Sequence, residues 1–159
     1  MDVSTLEFWE MFGVALLSGG IIGLERQLRG KPSGMRTSVL ICMGTALFIM
    51  LGRSLLGPYA DPTRVLGQVV TGIGFLGAGV IVSIGRTIAG VTSAATIWVL
   101  AAIGAMIGFE YYNEAIVIAL LTVFILVGIG VAEGKYRILR RGVHASETDV
   151  QEKKRTGTK

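Results

Sequence analysis

The chain contains few charged residues, one cysteine and one histidine. Charged side chains make up 16% of its 159 residues, whereas soluble domains carry about 25%. A single cysteine, Cys42, lies in an apolar run, which excludes a disulfide framework. The one histidine, His144, lies in a polar tail, and the sequence has no phosphate-binding loop, metalloprotease motif or nucleophile–base pair. The sequence therefore predicts a protein that is not an enzyme.

Long uncharged segments occupy most of the chain. No charged residue occurs between Arg64 and Arg86, and that interval is long enough for a helix to cross the hydrocarbon core of a bilayer, which requires about 20 residues. Glycine accounts for 23 of 159 residues, about twice its usual share of roughly 7%. Membrane helices tolerate glycine because it allows close helix–helix packing. These features predict an all-α, polytopic membrane protein.

The charge-free intervals predict a compact bundle of five transmembrane helices. Residues 1–132 would form one transmembrane domain, and residues 133–159 a basic cytoplasmic tail. Because no basic residue precedes the first apolar run, we expect a retained first helix instead of a cleaved signal peptide. Whether the third helix is continuous or broken stays open at this point, since its packing neighbours decide that. The predicted spans are about 6–24, 37–56, 65–84, 90–109 and 115–132.

The distribution of lysine and arginine predicts the orientation of the bundle. Basic residues concentrate in the connection between the first two spans, at Arg86 and in the carboxyl-terminal tail, and only Arg53 and Arg64 fall on the opposite side. Cytoplasmic loops carry the excess of basic residues, so the amino terminus should lie outside and the carboxyl terminus in the cytoplasm. The basic inner face should contact anionic lipid head groups. Since topology explains these charges, nucleic-acid binding is not expected.

Three segments combine polar side chains with regularly spaced small residues. These polar residues also have structural explanations that need no function. Threonine and serine in helices commonly bond to their own backbone, and Glu25 could pair with a nearby arginine. Gly19 and Gly23 are four residues apart, as are Gly104 and Gly108, so each pair lies on one helix face and indicates helix packing. The candidate packing glycines are Gly19, Gly23, Gly72, Gly74, Gly77, Gly79, Gly104 and Gly108. The candidate functional polar cluster consists of Glu25, Arg26, Arg36, Thr37, Arg64, Gln68, Thr71, Thr92 and Ser93.

These segments resemble the successive motifs of the MgtC/SapB family of bacterial inner-membrane proteins. Ser93 stands where a threonine is common in the family. The residues that occupy family positions are Glu25-Arg26, Arg36-Thr37, Arg64, Gln68, Gly72, Gly74, Gly77, Gly79, Thr92 and Trp98. The resemblance covers the family's membrane domain, to about Ala132, without the soluble carboxyl-terminal domain that many members carry. The strings that carry it are GIIGLERQLRGKPSGMRTSVL, DPTRVLGQVVTGIGFLGAGVI and IAGVTSAATIWVLAAIG.

The resemblance implies a multi-pass protein of the bacterial inner membrane that takes part in adaptation to low magnesium or related stress. Family members are thought to act on other membrane proteins, the F-type ATP synthase among them. No Asp or Glu lies deep within a predicted span, and because magnesium prefers carboxylate oxygens, a dehydrated magnesium site is not expected. We therefore predict no metal site and no cofactor.

Three hypotheses follow for function. The first is a regulator whose small-residue faces bind a like subunit, giving a homo-oligomer, or a helix of another membrane protein. The second is a small ion channel or secondary transporter, in which Glu25 gates the inner end of a polar path. The third is a scaffold that alters bilayer packing. The path of the second hypothesis would be lined by Gln68, Thr71, Thr92 and Ser93.

Overall fold

In a computed structural model of the chain, the described residues are 5–55, 61, 63–84 and 87–135. The basic tail predicted from residue 133 therefore lies almost entirely outside the described residues. The described part contains five α-helices and one β-hairpin, which confirms the predicted all-α class. In chain order the elements are α1 Leu6–Leu28, α2 Met35–Leu55, α3 Thr63–Gly79, β1 Val82–Ile84, β2 Thr87–Ala89, α4 Val91–Gly108 and α5 Tyr112–Lys135.

The chain divides into two units, and the described helices belong mainly to the first. The first unit comprises Met1–Val123 and the second Phe124–Lys159, of which residues 124–135 are described as the second half of α5. Four described helices are long and apolar enough to cross a membrane: Leu6–Leu28, Met35–Ser54, Val91–Gly108 and Tyr112–Ala132.

The third helix is shorter than the predicted span over 65–84. It ends at Gly79, and residues 82–84 pair antiparallel with 87–89 in a hairpin. Two glycines near the end of α3 lower its helix propensity, and the β-branched run Val80-Ile81-Val82 that follows favours a strand. The 17 residues of α3 give a helix of about 25 Å, less than the hydrocarbon thickness of about 30 Å. Of the five described helices, α3 is the shortest, and it is not among the four that are long and apolar enough to cross a membrane.

Gly90 joins the hairpin to α4. Its φ is +93°, in the left-handed region that glycine adopts without steric cost. A Cβ added at this position would collide with the carbonyl of Val80. Glycine is therefore required both by the backbone conformation and by the close approach of the preceding turn.

Helices α1, α2 and α4 form the core of the first unit. Gly19 and Gly23 of α1 lie against Val39 and Met35 of α2, in reverse order along the chain, so the two helices are antiparallel. Gly104 and Gly108 of α4 lie against Cys42 and Ile49 of α2 in the same order, so α4 runs parallel to α2. The largest fully buried side chains come from these three helices: Ile22, Ile49, Leu100, Ile103, Ile107, Cys42, Ser18 and Ser38.

Helix α3 runs antiparallel to α4 along the side of this core. Its first turn contacts α2, where Val65 approaches Gly52, and its last turn lies beside Ala94 at the start of α4 through Gly77. In α5, Ala115 and Ala119 are fully buried, whereas large apolar side chains such as Val117 and Leu120 are exposed. A long helix with this much exposed apolar surface is suited to contact with lipid.

Candidate functional site

The end of the first unit where α1 finishes and α4 begins holds a buried polar cluster. Arg26 of α1 is only 3% exposed, and Ser93 of α4 is 2% exposed. The Nη2 group of Arg26 donates a hydrogen bond of 2.7 Å to Ser93 Oγ. A charged side chain is rarely buried to this degree, so the bond ties α1 to α4 through a group whose desolvation it must offset.

Glu25 lies next to Arg26 and is 8% exposed. Its Oε1 is 2.8 Å from Nε of Arg29, one turn further along α1. That distance is an ion-pair distance, although the contact lacks hydrogen-bond geometry. Within the described part of the chain, Glu25 Oε2 and Arg26 Nε have no hydrogen-bond partner. We name Glu25, Arg26 and Ser93 the α1–α4 cluster; it is a pair of buried charges with hydrogen-bonding capacity still unused.

Close packing of α1 on α2 holds this cluster in place. A Cβ at Gly19 would lie 2.8 Å from the carbonyl oxygen of Ser38, and one at Gly23 would lie 2.5 Å from the Cα of Met35. The connection between the helices is also bonded, because Ser38 Oγ donates to the carbonyl of Ser33 at 3.0 Å. These glycines therefore allow the two backbones to approach closely, just before the residues that carry the charges.

The candidate polar cluster left out three serines that the structure buries. Ser18, Ser33 and Ser38 are buried, and the hydroxyls of Ser18 and Ser33 have no hydrogen-bond partner among the described residues. A signal was present for Ser18, because it precedes Glu25 by seven residues and so lies on the same face of α1. Ser33 offers no comparable signal, since it occupies a connection and has a φ of +65°.

The other candidate polar residues lie apart from the α1–α4 cluster. Thr92 is exposed although it precedes the buried Ser93 directly. On α3, Thr71 Oγ1 donates a hydrogen bond of 2.9 Å to the carbonyl of Gly67. This is the structural role that a threonine in a helix commonly has. The structure thus brings together three of the candidates and leaves the following ones exposed: Arg36, Thr37, Arg64, Gln68, Thr71 and Thr92.

The candidate packing glycines of α3 and α4 differ in how closely a neighbour approaches them. Gly104 and Gly108 lie against α2, where an added Cβ would be 2.5 Å from the Cys42 carbonyl oxygen and 2.6 Å from Ile49 Cβ, respectively. Gly77 has ordinary contact with Ala94, at 3.7 Å or more. The other candidate glycines of α3 have open space where a side chain would be: Gly72, Gly74 and Gly79.

At the opposite end of the first unit, Arg53 of α2 bonds to the end of α4 and to the turn that follows it. Its Nη1 donates to the Gly108 carbonyl at 3.0 Å and to Glu110 Oε1 at 2.8 Å. The guanidinium also lies over the ring of Phe109, 5.9 Å from its centroid. Arg53 therefore fastens the end of α2 to the turn that joins α4 and α5.

A cavity of about 270 Å³ opens beside this turn. Among the candidate residues it includes Gly108 alone, and it holds two carboxylates, Glu7 and Glu110. No group of three or more His, Cys, Asp or Glu side chains that could hold a metal ion occurs among residues 5–55, 61, 63–84 and 87–135. The cavity is lined by Thr5, Glu7, Phe8, Met11, Met50, Ile107, Gly108, Glu110 and Tyr112.

Comparison with known proteins gives a consistent family match. Residues 12–135 match the model of the MgtC family. The chain is 45% identical over 129 residues to YhiD of Escherichia coli K12, a protein named provisionally as a magnesium transporter, covering 77% of this chain and 60% of YhiD. It is 45% identical over 112 residues to protein MgtC of Brucella abortus, covering 70% of this chain and 45% of that protein.

A third relative is protein MgtC of Salmonella typhimurium, 42% identical over 102 residues, which are 64% of this chain and 43% of that protein. The chain thus spans between about two fifths and three fifths of the length of these relatives. No solved structure matches the chain. The family match and the apolar helices together establish a multi-pass membrane protein.

Proposed function

We propose, from the premise that this chain belongs to the MgtC family, that it is a regulator in adaptation to low magnesium. In this proposal the protein resides in the bacterial inner membrane, with its basic face against anionic lipid head groups. It acts by binding other membrane proteins, and the F-type ATP synthase is the first partner to test. The magnesium connection is supported by the names of the similar proteins YhiD and MgtC.

The observation that carries the proposal is the division of the polar residues into two separate sets. Glu25, Arg26 and Ser93 are buried together between α1 and α4. Gln68 and Arg64 instead lie on the exposed surface of α3. A conduit through one copy needs polar groups along a single path, whereas a protein that acts on partners needs recognition groups on its outer surface. The exposed polar residues of α3 support the second arrangement.

The surroundings of Glu25 also favour regulation over magnesium transport. Glu25 is a buried carboxylate that lies beside the buried guanidinium of Arg26 and forms an ion pair with Arg29. Two positive charges at this distance repel a divalent cation strongly in a medium of low dielectric constant. Magnesium would therefore have to displace or neutralise both arginines before it could reach the carboxylate.

The proposal is tested by affinity capture from native membranes of cells grown at low and at high magnesium. We expect a membrane-protein partner that is enriched at low magnesium, together with a growth defect at low magnesium when the gene is deleted. Subunits of the F-type ATP synthase should be probed directly. Capture of the same proteins at both magnesium levels, with normal growth of the deletion strain, would contradict the proposal.

A small ion channel or secondary transporter is the second candidate. It is favoured by the unused hydrogen-bonding atoms Glu25 Oε2 and Arg26 Nε, because ionisable residues inside a membrane often mark ion paths. Purified protein in liposomes should then carry an ion flux that falls in Glu25→Gln. Glu114→Gln is the matched control, since Glu114 is exposed at the start of α5. Absence of flux under every cation gradient would eliminate this candidate.

A further inference from the structure

The β-hairpin between α3 and α4 exposes large apolar side chains on both of its faces. Val82 and Ala89 are paired across the two strands, so their side chains point to the same face, whereas Ile88 is the neighbour of Ala89 and points to the other face. Val82 is 51% exposed and Ile88 is 64% exposed. The described part of the chain therefore leaves both side chains largely uncovered.

The edges of the same hairpin are polar. It is a sheet of only two strands, so the described residues supply no further strand for the backbone N–H and C=O groups on the outer edge of each strand. Open sheet edges do not occur in the hydrocarbon region of a bilayer, because their polar groups would have no partner there. The apolar side chains, in turn, are unfavourable in water. The hairpin thus combines groups that favour lipid with groups that require polar partners.

Contacts of α4 place the hairpin at one end of the helices that can cross a membrane. Ser93 accepts a hydrogen bond from Arg26 in the last turn of α1, and α1 and α4 are both long and apolar enough to span a bilayer. Gly90, which joins the hairpin to α4, precedes Ser93 by three residues, or about 4.5 Å along a helix axis. The hairpin is therefore attached level with the end of α1.

Charged residues at the end of α1 mark this level as the membrane surface. Arg29 directly follows α1 and pairs with Glu25, and Lys31 is exposed in the connection to α2. Exposed lysine and arginine side chains lie among head groups and water, because the hydrocarbon core is costly for a charge. Their positive charge also attracts anionic head groups. The hairpin is therefore attached at the depth of the head groups.

We propose that the hairpin lies in the head-group layer of the bilayer, where phospholipid surrounds Val82 and Ile88, and where water and lipid phosphate groups hydrogen-bond with the strand edges. Its strands of three residues are about 10 Å long and a head-group layer is roughly 5–8 Å thick, so the hairpin reaches the boundary with the acyl chains. Exposed apolar side chains continue into it from both neighbouring helices, through Phe75 and Leu76 of α3 and Val91 of α4. This position goes beyond the proposed regulatory role and does not depend on it.

Spin labelling of the purified protein in liposomes of phosphatidylethanolamine and phosphatidylglycerol tests this position. Cys42 is buried and bonded to the Leu100 carbonyl, so Cys42→Ala gives a background without cysteine. In this background a label at Ile88→Cys is compared with labels at two exposed controls, Lys31→Cys at the same end of the bundle and Leu120→Cys on the apolar surface of α5. Collisions of each label are measured with oxygen, which concentrates among acyl chains, and with a nickel chelate, which stays in water.

We expect the ratio of oxygen to nickel collisions at Ile88→Cys to be at least about 3-fold higher than at Lys31→Cys and lower than at Leu120→Cys, because the boundary lies between water and hydrocarbon. Val82→Cys, on the other face, should give the same result. It also provides an independent measurement if the label at Ile88→Cys disturbs the fold, which thermal unfolding of the labelled protein would detect.

Three results would overturn the proposal. Equal ratios at Ile88→Cys and Lys31→Cys would place the hairpin in water, and a ratio as high as that at Leu120→Cys would place it in hydrocarbon. Low collision rates with both reagents at Ile88→Cys or Val82→Cys would show that protein, such as a second copy of the chain, covers the hairpin in place of lipid.

Discussion

Two regions of the molecule contain the same kind of small-residue pattern and use it differently. In α4, Gly104 lies so close to α2 that an added Cβ would be 2.5 Å from the Cys42 carbonyl oxygen. In α3, Gly72 and Gly74 have open space at the corresponding point. Glycine spacing therefore indicates where close approach is possible, while the structure decides whether the neighbour is another helix of the same chain. The difference also changes what a mutation at each site should do.

The polar residues of the two regions differ in the same way. Arg26 donates a hydrogen bond to Ser93 inside the α1–α4 contact, whereas Gln68 on α3 is exposed. Within the described residues, α1, α2 and α4 pack closely through glycines, whereas glycines of α3 have open space at their Cβ positions.

The largest effect is expected from alanine substitution of the core glycine Gly104. Gly104→Ala should destabilise the protein by about 1–3 kcal/mol, because Cys42 and Thr45 would have to move. Gly72→Ala, the matched control in open space, should be neutral or stabilise by up to about 1 kcal/mol through helix propensity. Thermal unfolding of the detergent-purified proteins measures both. Equal stability of the two variants would contradict the division of the glycines.

The positions of the helices could be predicted from the sequence more readily than the contacts between them. Long apolar runs predicted α1, α2, α4 and α5 to within a few residues, because hydrophobicity and the absence of charge are properties of the chain itself. The end of α3 at Gly79 was missed, since a run of Val and Ile satisfies a hydropathy pattern both as helix and as strand. The sequence-based hypothesis of small-residue faces that bind a partner would include Gly104. In the structure Gly104 instead packs against α2 of the same chain.

The residues of the candidate site could be predicted from the sequence only in part. Glu25, Arg26 and Ser93 could be singled out as polar residues in apolar surroundings, but their proximity depends on how α1 and α4 are arranged in space. Gln68 has the same sequence character as these residues, yet it lies on the surface. Ser33 lies in a segment that the sequence singles out, but its burial could not be predicted, because it arises from the connection between α1 and α2. Burial of a single polar residue is a tertiary property, and local sequence does not encode it.

The second effect concerns the α1–α4 cluster. Ser93→Ala removes the acceptor of the 2.7 Å bond from Arg26 and leaves more of a buried guanidinium unpaired. The expected loss is about 1–3 kcal/mol of unfolding free energy. Thr92→Ala is the adjacent control, and because Thr92 is exposed its effect should stay within about 0.5 kcal/mol. Chemical denaturation in detergent distinguishes the two, and a Thr92→Ala variant as unstable as Ser93→Ala would argue against the cluster.

A smaller effect is expected at the other end of the core. The Arg53–Glu110 ion pair is 2.8 Å long, but the Glu110 side chain is 64% exposed, so water and salt screen it. Glu110→Gln should cost at most about 1 kcal/mol, and the cost should shrink at high salt. Arg53 would keep its bond to the Gly108 carbonyl. Glu114→Gln serves as the control of equal charge change, and a cost independent of salt would show that the ion pair is not its source.

The smallest effect is expected at the exposed start of α3, where it appears as a dependence on pH. The Thr63 hydroxyl and then the Thr63 backbone N–H, both bonded to the carboxylate, lower the pKa of Asp61. Because this pKa is lower in the folded than in the unfolded chain, the cap stabilises α3 fully above the unfolded value of about 3.9. That stabilisation is lost as the pH falls through the folded pKa. Hydrogen exchange of the Thr63 and Arg64 amides, corrected for intrinsic rates, should therefore show protection that decreases below about pH 4. Asp61→Asn keeps an acceptor oxygen but does not titrate, so its protection should stay flat, and parallel profiles for the two proteins would rule out Asp61 as the titrating cap.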